Sequence, residues 1–239
     1  MTDPQQDAAP MVRHFDEQIR DVTKKIVLMG SLAESMIDLA TRILVERDES
    51  LAREVYAKED EVNALQVEID DEALRLTALH QPVARDVRFL FTATKIVTDL
   101  ERIADQAKNI VQNASYVLAQ PSLKPMVDLP IMAEIAQKMV RDALTAVVNR
   151  DVNIAERIIA EESKVDAFRD QVFRTLLTYM VADPGTIQRA LSLILISRNI
   201  ERIGDHATNI AEEAIYIVQG RDVRHAASQA AAAAARNAV

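Results

Sequence analysis

The chain has 239 residues, 49% apolar and 27% charged, a globular composition with room for one large domain or two small ones. Its 37 acidic against 28 basic residues leave a net charge of -9, which argues against nucleic acid as a partner. Cysteine is absent, which excludes disulfides, thiolate metal sites and thiol nucleophiles and fits a reducing cytoplasm.

Residues 1–11, polar and interrupted by Pro4 and Pro10, read as a disordered tail without the basic and apolar regions of a signal peptide. From Phe15 the apolar positions Ile19, Val22, Ile26, Met29, Ala33, Met36, Ala40 and Ile43 alternate steps of three and four, predicting a helix over 12–46. Leu51, Val55, Val62, Leu65, Ile69, Leu76 and Leu79 predict a second over 50–80, interrupted at Lys58 and Glu72. Pro82 precedes a third, 83–119. The Pro-rich segment 120–129 reads as a linker, with Asp128 as cap of a fourth helix, 130–149. A fifth over 152–182 ends at Asp183-Pro184, an N-cap and N1 proline that open a sixth over 185–219, which Gly220 closes. Residues 221–239 form an Ala-rich tail with little apolar surface to bury. No apolar run approaches the ~20 residues of a membrane span, so a soluble, intracellular protein is expected.

The chain repeats itself. Residues 96–118 and 196–218 match at ten of 23 positions, with Glu101-Arg102-Ile103 and Asp105 returning as Glu201-Arg202-Ile203 and Asp205. At an offset of 103, Arg47-Asp48 pairs with Arg150-Asp151, Glu59 with Glu162, and Val62 with Val165. An all-α protein of two pseudo-symmetric three-helix bundles follows, over 12–119 and 130–220.

In the third helix the apolar seam runs Leu100, Ile103, Ala107, Ile110, Ala114 and Val117, and its twin in the sixth runs Ile200 to Ile217. With Leu100 and Ile200 at position a, Glu101 and Glu201 fall at b and Asp105 and Asp205 at f, opposite the seam and stacked four apart. Glu59 with Asn63 and Glu162 with Asp166 repeat the spacing on the second and fifth helices. Such residues suit an ordinary solvated helix face, relieved by cations such as Arg198 and Lys108. They equally suit a stripe of hard oxygen donors for Mg, Ca, Mn or Fe.

The duplicated Leu100–Asp105 and Ile200–Ile210 segments resemble the signature of the PhoU family, as do Gln81–Arg88, Leu177–Met180 and Tyr216–Gly220. The resemblance covers about residues 12–225. It implies two side-by-side three-helix bundles, a homodimer, and a cytoplasmic, non-enzymatic negative regulator of the phosphate-starvation response. It further implies coupling between a phosphate ABC transporter, through its ATPase subunit, and a phosphate-sensing histidine kinase. Multivalent metal ions, iron first with Mn, Mg or Zn as further options, are implied at surface ExxxD pairs. Carried over, these are Glu101 with Asp105, Glu201 with Asp205 and Glu162 with Asp166; Glu59 with Asn63 departs from the pattern by keeping one carboxylate.

Two other function classes compete. A carboxylate-bridged di-iron oxidase needs inward Glu-x-x-His, and no Glu stands three before any of the four His. A phosphotransfer bundle needs an exposed His; His206 would serve, but it sits beside the seam, where packing is expected. No Gly-rich phosphate loop or GxSxG turn occurs, so phosphate binding by this chain is not expected.

Overall fold

Alanine, leucine and long charged side chains dominate between the breakers, and the chain resolves into six helices: α1 (Ala8–Glu46), α2 (Ala52–His80), α3 (Ala84–Leu118), α4 (Asp128–Asn149), α5 (Val152–Ala182) and α6 (Ile187–Gln219). The computed structural model describes residues 8–123 and 128–224, with side chains from Phe15 onward. Most of the N-terminal tail, four residues of the Pro-rich linker and the Ala-rich stretch from His225 lie outside the described residues. Within them the expected helices appear with ends shifted by at most four residues. Short 3₁₀ turns, Glu49–Leu51 and Pro184–Thr186, precede α2 and α6. Asp128, expected as a cap, instead lies in the first turn of α4.

The helix ends keep the record of duplication. Arg47 and Arg150 both adopt left-handed backbone, with φ of 59° and 54°, and each is followed by a capping aspartate. Asp48 accepts from the Ser50 N–H at 3.0 Å, and Asp151 from the Asn153 and Ile154 N–H groups at 2.9 and 3.2 Å. Asp151→Ala is expected to cost about 1 kcal/mol by leaving those donors unsatisfied, read as a lower urea midpoint with an unchanged m value. Asp183 accepts from Gly185, as its cap position predicts. At Gly220, φ is 66° and the N–H bonds Tyr216 O at 2.9 Å; a Cβ here would meet the Arg88 guanidinium.

The helices form two bundles, α1–α3 and α4–α6, which share one continuous core. The predicted seams of α3 and α6 are buried throughout, from Leu100 to Val117 and from Ile200 to Ile217. α3 packs more extensively on α6 than any other pair, and α1 also meets α4. The α3–α6 pair is antiparallel: Arg88 lies over Tyr216, Lys95 bonds Glu213, and Asp99 meets His206. Two helices covered on both sides need a second apolar face, supplied in α3 by Leu90, Val97, Ala104 and Val111, while Phe89, Ala93 and Ile96 continue the seam. The outer helices α2 and α5 bury only a narrow stripe.

Candidate functional site

Each bundle presents its acidic side chains in the groove between its outer and its central helix. In the second bundle, Glu162 and Asp166 of α5 and Glu201 and Asp205 of α6 are close enough to repel one another. Their placement corrects the heptad expectation. Position f of an isolated helix points to water, but here α5 lies across α6 and encloses half of what f and b present. Burial, reinforced by repulsion from Glu201, Glu162 and Asp166, pushes the Asp205 carboxyl up to about 6. Glu162 is raised for the same reason, burial first and the Asp166 charge next. Glu201 is relieved by Arg169 of α5, whose Nη1 bonds its Oε1 and stands 3.4 Å from Asp166. The cation expected there, Arg198, is exposed and makes no such pair.

The first bundle builds the same groove differently. Glu59 of α2, expected on a solvated stripe, is buried; the Lys108 ammonium of α3 donates to its Oε1 at 2.6 Å, and Asn63 Nδ2 stands 3.5 Å away. Lys108 therefore crosses to α2, although Asp105, three residues before it, also attracts it. Arg102 holds Glu101 at 3.5 Å and Asp105 at 3.7 Å. Burial, followed by repulsion from Asp105, keeps the Glu101 carboxyl above its ordinary value.

The eight sequence-derived candidates thus gather into two sets of four, Glu59, Asn63, Glu101 and Asp105 against Glu162, Asp166, Glu201 and Asp205. Among the described residues, no group of three or more His, Asp or Glu converges to hold a metal ion. The donor chemistry nonetheless suits a hard cation in the second set, where neither Glu162 nor Asp205 has a Lys or Arg partner among the described residues. It suits one poorly in the first, where Lys108 already neutralises Glu59.

His206 is packed and half-buried, with Nδ1 2.8 Å from Asp99 Oδ1, which also accepts from Asn209 at 3.1 Å. It joins the two central helices and does not stand free as a phosphotransfer histidine would. A cavity of about 550 Å³ adjoins this contact, walled by α3, α5 and α6 and including Lys95, Asp99, Glu162, Asp205, Thr208 and Glu213. Sequence reasoning missed Glu213, a buried carboxylate that accepts from Lys95 at 2.9 Å with its other oxygen unpartnered. Its position among apolar residues in α6 was the available signal. Thr208 stands at the repeat position of Lys108.

The chain matches the PhoU domain family twice, over residues 26–114 and 129–214, once per bundle. It is 37% identical over 214 residues to the phosphate-specific transport system accessory protein PhoU homolog of Pseudomonas aeruginosa, covering 89% of this chain and 88% of that one. The homolog of Aquifex aeolicus is also 37% identical, over 209 residues, covering 87% and 95%. The crystal structure of PhoU from Pseudomonas aeruginosa superimposes with a TM-score of 0.84 at 36% identity, covering 87% of this chain and all of that one. The phosphate transport system regulatory protein PhoU from Streptococcus pneumoniae gives 0.81 over 87% of this chain and 99% of that one; at 22% identity it supports the fold alone.

Proposed function

This chain belongs to the PhoU family, and from that premise we propose that it is a cytoplasmic regulator coupling a phosphate ABC transporter to a sensor histidine kinase. Membership makes it an accessory protein and not an enzyme. No helix among the described residues is long and apolar enough to cross a membrane, which fits a protein that docks on membrane machinery without entering the bilayer. The observation that carries the reading is the doubled family match, one copy on each three-helix bundle.

In this reading the ATPase subunit of the transporter and the kinase engage faces of the two bundles, the protein works as a homodimer, and multivalent metal binds at the acidic grooves. Glu162, Asp166, Glu201 and Asp205 are the donors best suited to it, since the second groove carries four carboxylates against three in the first. Bound metal would neutralise carboxylates that now repel one another and so set the shape and charge of the face offered to partners.

The experiment is a deletion strain grown in high phosphate. Phosphate-starvation genes are expected to be expressed constitutively there and to be silenced again by the gene supplied in trans. Silence in the deletion strain rejects the regulatory assignment.

A further inference from the structure

The cavity of about 550 Å³ between the bundles has the size of a small-molecule site. Five carboxylates line it: Asp99 from α3, Glu162 from α5, and Asp205, Glu212 and Glu213 from α6. Two cations, Lys95 and Arg224, stand against them, so five negative and two positive charges leave the wall at -3. A concave wall of one prevailing sign concentrates its field on whatever enters.

Duplication shows that the fold does not require this charge. At the offset of 100 between α3 and α6, the counterparts of Asp99, Glu212 and Glu213 are the amides Asn199, Gln112 and Asn113. Those of Thr98 and Thr208 are the cations Arg198 and Lys108. The same helix pair therefore packs without the acids at the repeat positions. Carboxylates gathered on a half-enclosed wall cost desolvation and mutual repulsion, which a cationic occupant relieves. Glu213 points to such an occupant independently. It is 5% exposed, its Oε1 accepts from Lys95 at 2.9 Å, and its Oε2 has no hydrogen-bond partner. A buried carboxylate oxygen left so is costly until a donor completes it.

We infer that this cavity binds a linear polyamine, an organic cation with ammonium groups spaced along a methylene chain. Size and the spread of the acids select this class over a single ion. The volume is many times the ~30 Å³ that one water occupies. Among the described residues, no group of three or more His, Asp or Glu converges to hold a metal ion. Separated carboxylates suit separated ammoniums, each with three donors to share. Lys95 on Glu213 is the same pairing made within the chain. The bound polyamine bridges α3 of the first bundle to α5 and α6 of the second, beside the contact of Asp99 with His206.

This site is independent of the regulatory reading, which the deletion strain tests by itself. Spermidine is the probe, titrated by calorimetry into the full-length chain after metal is stripped with chelator and the chelator dialysed away. Salt at about 0.15 M screens diffuse attraction to the acidic surface. Wild type is expected to bind one spermidine per chain, and to bind propylamine, with its single ammonium, at least tenfold more weakly. Asp99→Asn with Glu212→Gln copies two amides from the repeat positions and should weaken spermidine at least tenfold. Thr98→Arg copies Arg198 and should do the same. Thr98 is exposed, so this variant is expected to fold whatever the double variant does, as circular dichroism checks. No saturable binding by wild type, equal affinity for propylamine, or a folded variant of either kind that keeps the wild-type affinity for spermidine overturns the polyamine site.

Discussion

Lys95→Met is expected to destabilise the protein by about 2–3 kcal/mol, seen as a melting temperature roughly 5–10 °C lower. Glu213 is almost wholly buried in the contact between the central helices, and the Lys95 ammonium at 2.9 Å is its main partner. Arg224 reaches only to 3.7 Å, and Glu213 Oε2 has no hydrogen bond. Methionine keeps an aliphatic stem but removes the ammonium that lies 4.9 and 5.7 Å from the Phe91 and Tyr216 ring centroids, and it abandons the carboxylate to a low-dielectric site. Lys95 is about a quarter exposed, so the cost falls at the low end for a broken buried pair. Adding Glu213→Leu to Lys95→Met should restore most of the loss, because neither charge is then left alone. A double variant as unstable as Lys95→Met would place the loss in packing, not in the stranded charge.

Asp205→Asn should stabilise the metal-free protein at pH 7.5 and leave it nearly unchanged at pH 4. The folded-state value, about 6, lies above the ordinary carboxylate value of 3.8, so the native state holds this proton more tightly than the unfolded chain. Its contribution is therefore complete below about pH 4, declines as pH rises toward 6, and is absent above. At neutral pH wild type carries an ionised carboxylate that burial and three neighbouring carboxylates disfavour. After allowance for solvent screening, the variant should gain roughly 1–2 kcal/mol there. Thermal melts in chelator from pH 4 to 8 check this. The difference between variant and wild type should grow between pH 4 and 6 and then level; a difference constant across the range contradicts the assignment. Saturating Mn²⁺ should reverse the ranking at pH 7.5, since binding adds stability only to the chain with the ligand.

Much of the architecture was legible in particular residues. Ile203, Ala207 and Ile210, spaced by fours and threes, announce a buried seam, and the structure buries all three. Arg150-Asp151 repeats Arg47-Asp48, and both copies make the same left-handed residue and capping aspartate. The acid pairs were legible as pairs but not as groove residues. Glu59 sits one step from the α2 seam position that Lys58 interrupts, and reading Lys58 as the break hid a carboxylate that α3 covers and Lys108 neutralises. Leu79, read into the same seam, is exposed near the end of α2.

Sequence alone determined the six helices, their ends to within four residues, their internal duplication and the direction in which each side chain leaves its own axis, because helical period and turn chemistry are local properties. Tertiary structure alone decided what each direction meets. The antiparallel seating of α3 on α6 turned Glu213 and Asp99 toward partners on the opposite helix, and the closure of α5 over α6 enclosed Asp205. It likewise chose Lys108 for Glu59 and Arg169 for Glu201. Neighbouring helices pack about 8–10 Å apart, a gap that a long basic side chain spans, so its partner depends on which helix lies beside it.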